Sequence, residues 1–130
     1  MLLPTTLCLA AAGAVINFWL GQRIGQLRHK LKVSVGDGGH ELLARRMRAQ
    51  LNFAENVPVV LILIGLIELA GKGGVWLAPV GALFMVGRVL HGFGMDGGSL
   101  QWGRMVGTLT AFLAAIGLAV VAVLIALGKI

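Results

Sequence analysis

Apolar residues are gathered into four long stretches, and ionisable residues interrupt only the middle two. Leu2–Leu20 and Met105–Leu127, of 19 and 23 residues, hold no charged side chain, so each is long enough to cross a bilayer as one helix. Only 12 uncharged residues separate Glu55 from Glu68, and Val75–Gly87 gives 13 before Arg88. A hydrocarbon core of about 30 Å takes roughly 20 helical residues. A second span ending near Leu69 must therefore carry Asn52 and Glu55 into the membrane, and a third starting near Val75 must carry Arg88 and His91. The pattern predicts an all-α, integral membrane four-helix bundle with up-down topology. It forms a single domain over residues 1–130, with spans at about 2–20, 45–69, 75–95 and 104–127.

Composition points the same way: 58% of residues are hydrophobic and 12% charged, and the mean hydropathy is +0.91. Leu2–Leu20 lacks the basic lead-in of a signal peptide and more spans follow, so it is expected to stay as a helix. The net charge of +6 is localised, because seven of the eleven Lys and Arg fall between the first and second spans: Arg23, Arg28, Lys30, Lys32, Arg45, Arg46 and Arg48. The positive-inside rule then places this connection, Gln22–Arg48, in the cytoplasm and both termini outside. Such a cluster attracts anionic lipid, and no nucleic-acid partner is expected. Within the connection, Val33–Gly39 is glycine-rich and breaks any helix. Cys8 is expected to be an inert packing residue of the first span. Trp19, Trp76 and Trp102 are expected to anchor span ends, and Glu68 to reach water at the outer interface.

At about 100° per residue, Arg45, Arg48, Asn52 and Glu55 share an arc of about 80° on the second helix. Arg88 and His91 are i, i+3 neighbours on the third. Antiparallel packing brings both sets to the cytoplasmic half of the bilayer, where Arg104 stands at the foot of the fourth span. An arginine facing lipid costs roughly 2.5–3.5 kcal/mol on insertion scales, so Arg88 should face protein or a wet cavity. Two readings follow. In one, Glu55 neutralises Arg48 or Arg88 and staples the bundle. In the other, Arg48, Arg88 and Arg104 form an anion site for a ligand bearing carboxylates or a thiolate, with Glu55 free to take an ammonium group. His29, His40, His91 and Cys8 are dispersed without metal-ligand spacing, so no metal is expected. Gly21/Gly25, Gly94/Gly98 and Gly103/Gly107 have the spacing of a small-residue helix interface.

The run Arg48-Ala49-Gln50-Leu51-Asn52-Phe53-Ala54-Glu55-Asn56-Val57-Pro58 resembles the signature of the MAPEG family, the membrane-associated proteins in eicosanoid and glutathione metabolism. That signature reads approximately R-A-x-x-N-x-x-E-Y-x-P. Gly87-Arg88-Val89-Leu90-His91-Gly92-Phe93-Gly94 is similar to the family's second motif, and the whole chain most resembles its short bacterial members. The resemblance implies a homotrimer of four-helix subunits that holds glutathione, as co-substrate, between neighbouring subunits near the cytoplasmic face. Arg48, Asn52, Glu55, Arg88 and His91 would bind the tripeptide, and Arg104 would stabilise its thiolate. The implied activity is a glutathione-dependent transferase or peroxidase acting on lipophilic electrophiles that arrive from the membrane lipid. The tyrosine expected after Glu55 is Asn56, those expected on the third helix are His91 and Met95, and the chain has no tyrosine at all. The alternatives are a non-catalytic membrane protein that keeps the fold and binds lipid or a partner, and a small transporter. The lack of an internal repeat argues against the transporter.

Overall fold

The computed structural model describes residues 2–130. Four helices follow in order: α1 (Pro4–Leu31), α2 (Glu41–Leu69), α3 (Leu77–Met95) and α4 (Trp102–Ala126), with a short 3-10 turn at Gly98–Leu100 ahead of the last. No strand occurs among the described residues. Each helix is long and apolar enough to cross a membrane, so the chain is the expected four-helix membrane bundle. The connections are nine, seven and six residues long, short enough to make successive helices antiparallel neighbours. α2 contacts all three other helices, and α3 and α4 pack most extensively on each other.

The apolar positions of α2 explain its central place. Phe53, Val57, Val60, Ile64 and Ile67 recur every three or four residues, which puts them on one face. They are buried against Leu9 and Leu20 of α1, Phe84 and Met85 of α3, and Leu118 of α4. The opposite face, which begins with Arg48, Asn52 and Glu55, continues through Val59, Ile62 and Leu66, all three exposed.

The first helix is longer than hydropathy alone suggests. The sequence reads as a connection from Gln22, yet α1 continues to Leu31. Nothing between Gly21 and Leu31 breaks a helix, and Leu20 and Ile24 are buried where the hairpin closes. Hydropathy marks the edge of the membrane, not the end of the helix. At about 1.5 Å per residue α1 is about 42 Å long, well beyond a hydrocarbon core of about 30 Å. Its basic end therefore projects together with the start of α2. The stop comes at Lys32, whose φ of 58° is left-handed, with the N–H groups of Lys32 and Val33 donating to the carbonyls of His29 and Arg28.

Polar ties close both ends of the bundle. At one end Glu68 does not simply reach water. Its carboxylate accepts the Thr5 and Thr6 N–H groups at 2.8 Å each and the Thr6 hydroxyl at 2.7 Å. It thus caps from α2 the free N–H groups that begin α1. At the other end Asp96, just past α3, pairs with Arg23 of α1 and with Arg46 of α2 at 3.1 Å. Arg23 also donates to the Gly92 carbonyl at 3.0 Å and lies 5.0 Å over the Trp19 ring and 5.2 Å over that of Phe93. Trp19 is therefore a packing partner of this network, whereas Trp76 and Trp102 are exposed. Cys8 faces outward from α1, contrary to the expectation of a packed thiol.

Candidate functional site

Three polar side chains share the exposed face near the start of α2. Arg48 Nη1 lies 3.5 Å from Glu55 Oε1, with both side chains more than half exposed at 58% and 53%. Asn52 sits between them, one turn along from each. Arg45, expected on the same arc, turns away to pair with Glu41 at 2.6 Å. Of the two arginines within reach of Glu55 in the sequence, Arg48 is the one that lies beside it. An exposed pair of this kind contributes little to stability.

Arg88 is placed differently. It is only 2% exposed, and no acid pairs with it among the described residues. Nη1 donates to Asn52 Oδ1 and Nη2 to the Gly107 carbonyl of α4, while the guanidinium lies 5.6 Å from the Phe84 ring centroid. Neutral acceptors and an aromatic face thus hold a cation in the interior of the bundle. Nε alone is buried without a partner. Arg88 faces protein, as the insertion cost requires, and it sits behind Asn52 instead of on the open face.

Glycines make this reach possible. A β-carbon at Gly107 would fall 3.1 Å from His91 Cα, and one at Gly94 would fall 2.9 Å from Arg104 Cα. α3 and α4 therefore approach backbone to backbone at Gly94, Gly103 and Gly107. The glycine spacing in Gly103/Gly107 serves this contact within the subunit. The same approach buries His91, 5% exposed, between the two helices, and seats Arg104 in the first turn of α4. The Arg104 side chain is exposed and forms no ion pair among the described residues.

The structure thus gathers Arg48, Asn52 and Glu55 on one face of α2, with Arg88 braced behind Asn52, His91 buried between α3 and α4, and Arg104 exposed at the start of α4. Arg48 and Glu55 compensate each other, so the accessible excess charge is the guanidinium of Arg104. Such a region can take an anionic ligand by Arg and amide donation, and a cation beside a thiol favours the thiolate. Sequence reasoning missed two features. One is the Arg88–Asn52 bond, which links the two motifs across 36 residues. The other is the tie made by Asp96, which stands just past the third span. Its neighbours Arg23 and Arg46 lie in a basic stretch where any of seven cations was an equal candidate.

Comparison with known proteins fits this arrangement. The inner membrane protein YecN of Escherichia coli strain K12 is 29% identical over 80 residues, which is 61% of this chain and 60% of YecN. YecN of Escherichia coli O6:H1 strain CFT073 gives the same figures. The match spans about three fifths of the length of these curated relatives. The model of the MAPEG family matches residues 6–124, which takes in all of the polar cluster and nearly all of the four helices. This chain belongs to the MAPEG family.

Proposed function

We propose that this protein binds glutathione on the Arg48–Asn52–Glu55 face and uses it as a thiol nucleophile against lipophilic electrophiles. The observation that carries the reading is the exposed Arg48–Asn52–Glu55 face, on which Asn52 is held from behind by Arg88. Arg48 and Asn52 take the tripeptide's carboxylates, Glu55 its ammonium group, and Arg104 faces the sulfur. The thiol proton passes to water. The thiolate then attacks an electrophilic carbon, forming a C–S bond and displacing the leaving group with its electron pair. With a hydroperoxide, the sulfur takes the terminal oxygen, an alcohol departs, and a second glutathione closes the disulfide with loss of water. The exposed apolar run Val59, Ile62 and Leu66 supplies a greasy surface continuous with the polar face.

The working form is a homotrimer in a bacterial inner membrane, with the basic α1–α2 hairpin in the cytoplasm. Its location is supported by the apolar helices and by the similarity to an inner membrane protein, and its orientation by the charge bias. The second reading, a non-catalytic bundle, is favoured by one observation. At the position of the family's tyrosine, Asn56 bonds back to the Asn52 carbonyl at 2.7 Å and offers no hydroxyl.

Equilibrium dialysis with labelled glutathione separates the two. Arg48→Ala should weaken binding by about 1.5–3 kcal/mol, the range for hydrogen bonds to charged groups. Leu66→Ala, on the same helix face but several turns away, should leave it nearly unchanged. Equal affinity in the parent and Arg48→Ala would remove Arg48 from the site.

A further inference from the structure

The buried arginine and the half-buried asparagine constrain each other chemically. A guanidinium has five N–H donors and no acceptor, so only the oxygen of the Asn52 amide can face Arg88. This fixes which way round the amide sits, without appeal to how its nitrogen and oxygen were assigned. Nδ2, with its two N–H groups, must then point away from Arg88, out of the wall. Among the described residues Nδ2 donates to no protein group. Among the described residues the only buried side-chain polar atom without a partner is Arg88 Nε, so Nδ2 keeps access to the surface.

We infer that Arg88 is a positioning residue that turns Asn52 into an obligate hydrogen-bond donor, and that this selects ligands presenting a carboxylate at that point. The charge of Arg88 reaches the open face through the amide: donation into Oδ1 polarises the group and strengthens the two outward N–H donors. An Asn free to rotate would accept from an ammonium group as readily as it donates to a carboxylate. Locked this way it turns the ammonium end of an amino-acid-like ligand away, toward Glu55. The order Arg48, Asn52, Glu55 along α2 then reads as two sites for anionic groups followed by one for a cation. The inference rests on the glutathione reading for the identity of the ligand, but the orientation of the amide does not depend on it.

The test uses Asn52→Asp and Asn52→Leu in the full chain in detergent, scored by thermal unfolding and by glutathione binding. Asn52→Asp keeps the shape, gives the unpaired Arg88 a counter-charge, and offers only acceptors to the ligand. Its unfolding midpoint should equal or exceed the parent's, while its glutathione affinity falls tenfold or more. Asn52→Leu leaves Arg88 Nη1 unpaired and should melt lower than the parent. A role in packing alone predicts instead that affinity follows stability in both variants. The inference is overturned if Asn52→Asp binds within twofold of the parent, or if it melts low with Asn52→Leu or fails to fold. If the parent itself binds no glutathione, the glutathione reading falls and the melting order alone decides the orientation. The sequence Asn52→Asp at or above parent, then Asn52→Leu, upholds it, and a low Asn52→Asp overturns it.

Discussion

Asp96→Ala should destabilise the bundle by about 3 kcal/mol, the lower end of the range for removing one partner of a buried ion pair. The carboxylate is 22% exposed and serves Arg23 and Arg46, which are themselves 12% and 20% exposed. Its loss leaves two guanidiniums side by side with no acid between them. Their mutual repulsion adds to the cost of their desolvation, because Arg46 also donates to the Arg23 carbonyl at 3.2 Å and cannot simply swing into water. The same side chain ties the end of α3 to both α1 and α2, so the effect should appear as global loss of cooperativity in detergent unfolding. Arg45→Ala is the fitting comparison. Its i, i+4 pair with Glu41 is exposed on both sides, and removing such a pair changes stability by no more than about 0.5 kcal/mol. Equal midpoints for the two variants would show that the Asp96 network is not a structural tie.

Arg104→Ala should separate binding from chemistry. A free thiol with a pKa of about 8.5 is only a few per cent ionised at neutral pH. With a guanidinium at the sulfur, most of the bound glutathione should be thiolate, visible as ultraviolet absorbance that grows on titration. In Arg104→Ala that absorbance should vanish while most of the affinity remains, because the carboxylates are held by Arg48 and Asn52. Turnover with a lipophilic electrophile should fall in parallel with the absorbance, the signature of an interaction that matters more in the transition state than in the ground state. Loss of all affinity in the variant, with no absorbance in the parent, would make Arg104 a residue that positions the ligand and would remove the thiolate from the mechanism.

Much of this was legible in the sequence because it rests on period and length. The alternation of Phe53, Val57, Val60, Ile64 and Ile67 fixes the buried face of α2, so the opposite placement of Arg48, Asn52 and Glu55 follows from 3.6 residues per turn. The shortfall of apolar residues around Glu55 and Arg88 likewise places them at depth. What the sequence did not disclose depends on partners distant in the chain. Glu55 had two arginines available, and only the packing of α3 behind α2 leaves it to Arg48 and gives Arg88 to Asn52. The last turns of α1 look like a connection in the sequence because Gln22–Leu31 is polar by composition, yet the stop of the helix is a local matter at Lys32. The glycine spacings in α3 and α4 suggested an interface without saying whose. The close approach of Gly94 to Arg104 and of Gly107 to His91 assigns it to the subunit itself.

The face that carries Arg48, Asn52 and Glu55 should receive glutathione. Calorimetric titration of the purified parent protein in detergent with millimolar glutathione tests it most directly. A saturable heat is expected, and it should disappear when the tripeptide is pre-bound. A flat titration, from protein that still unfolds cooperatively, would contradict it and leave a MAPEG-family bundle that keeps the fold without the ligand.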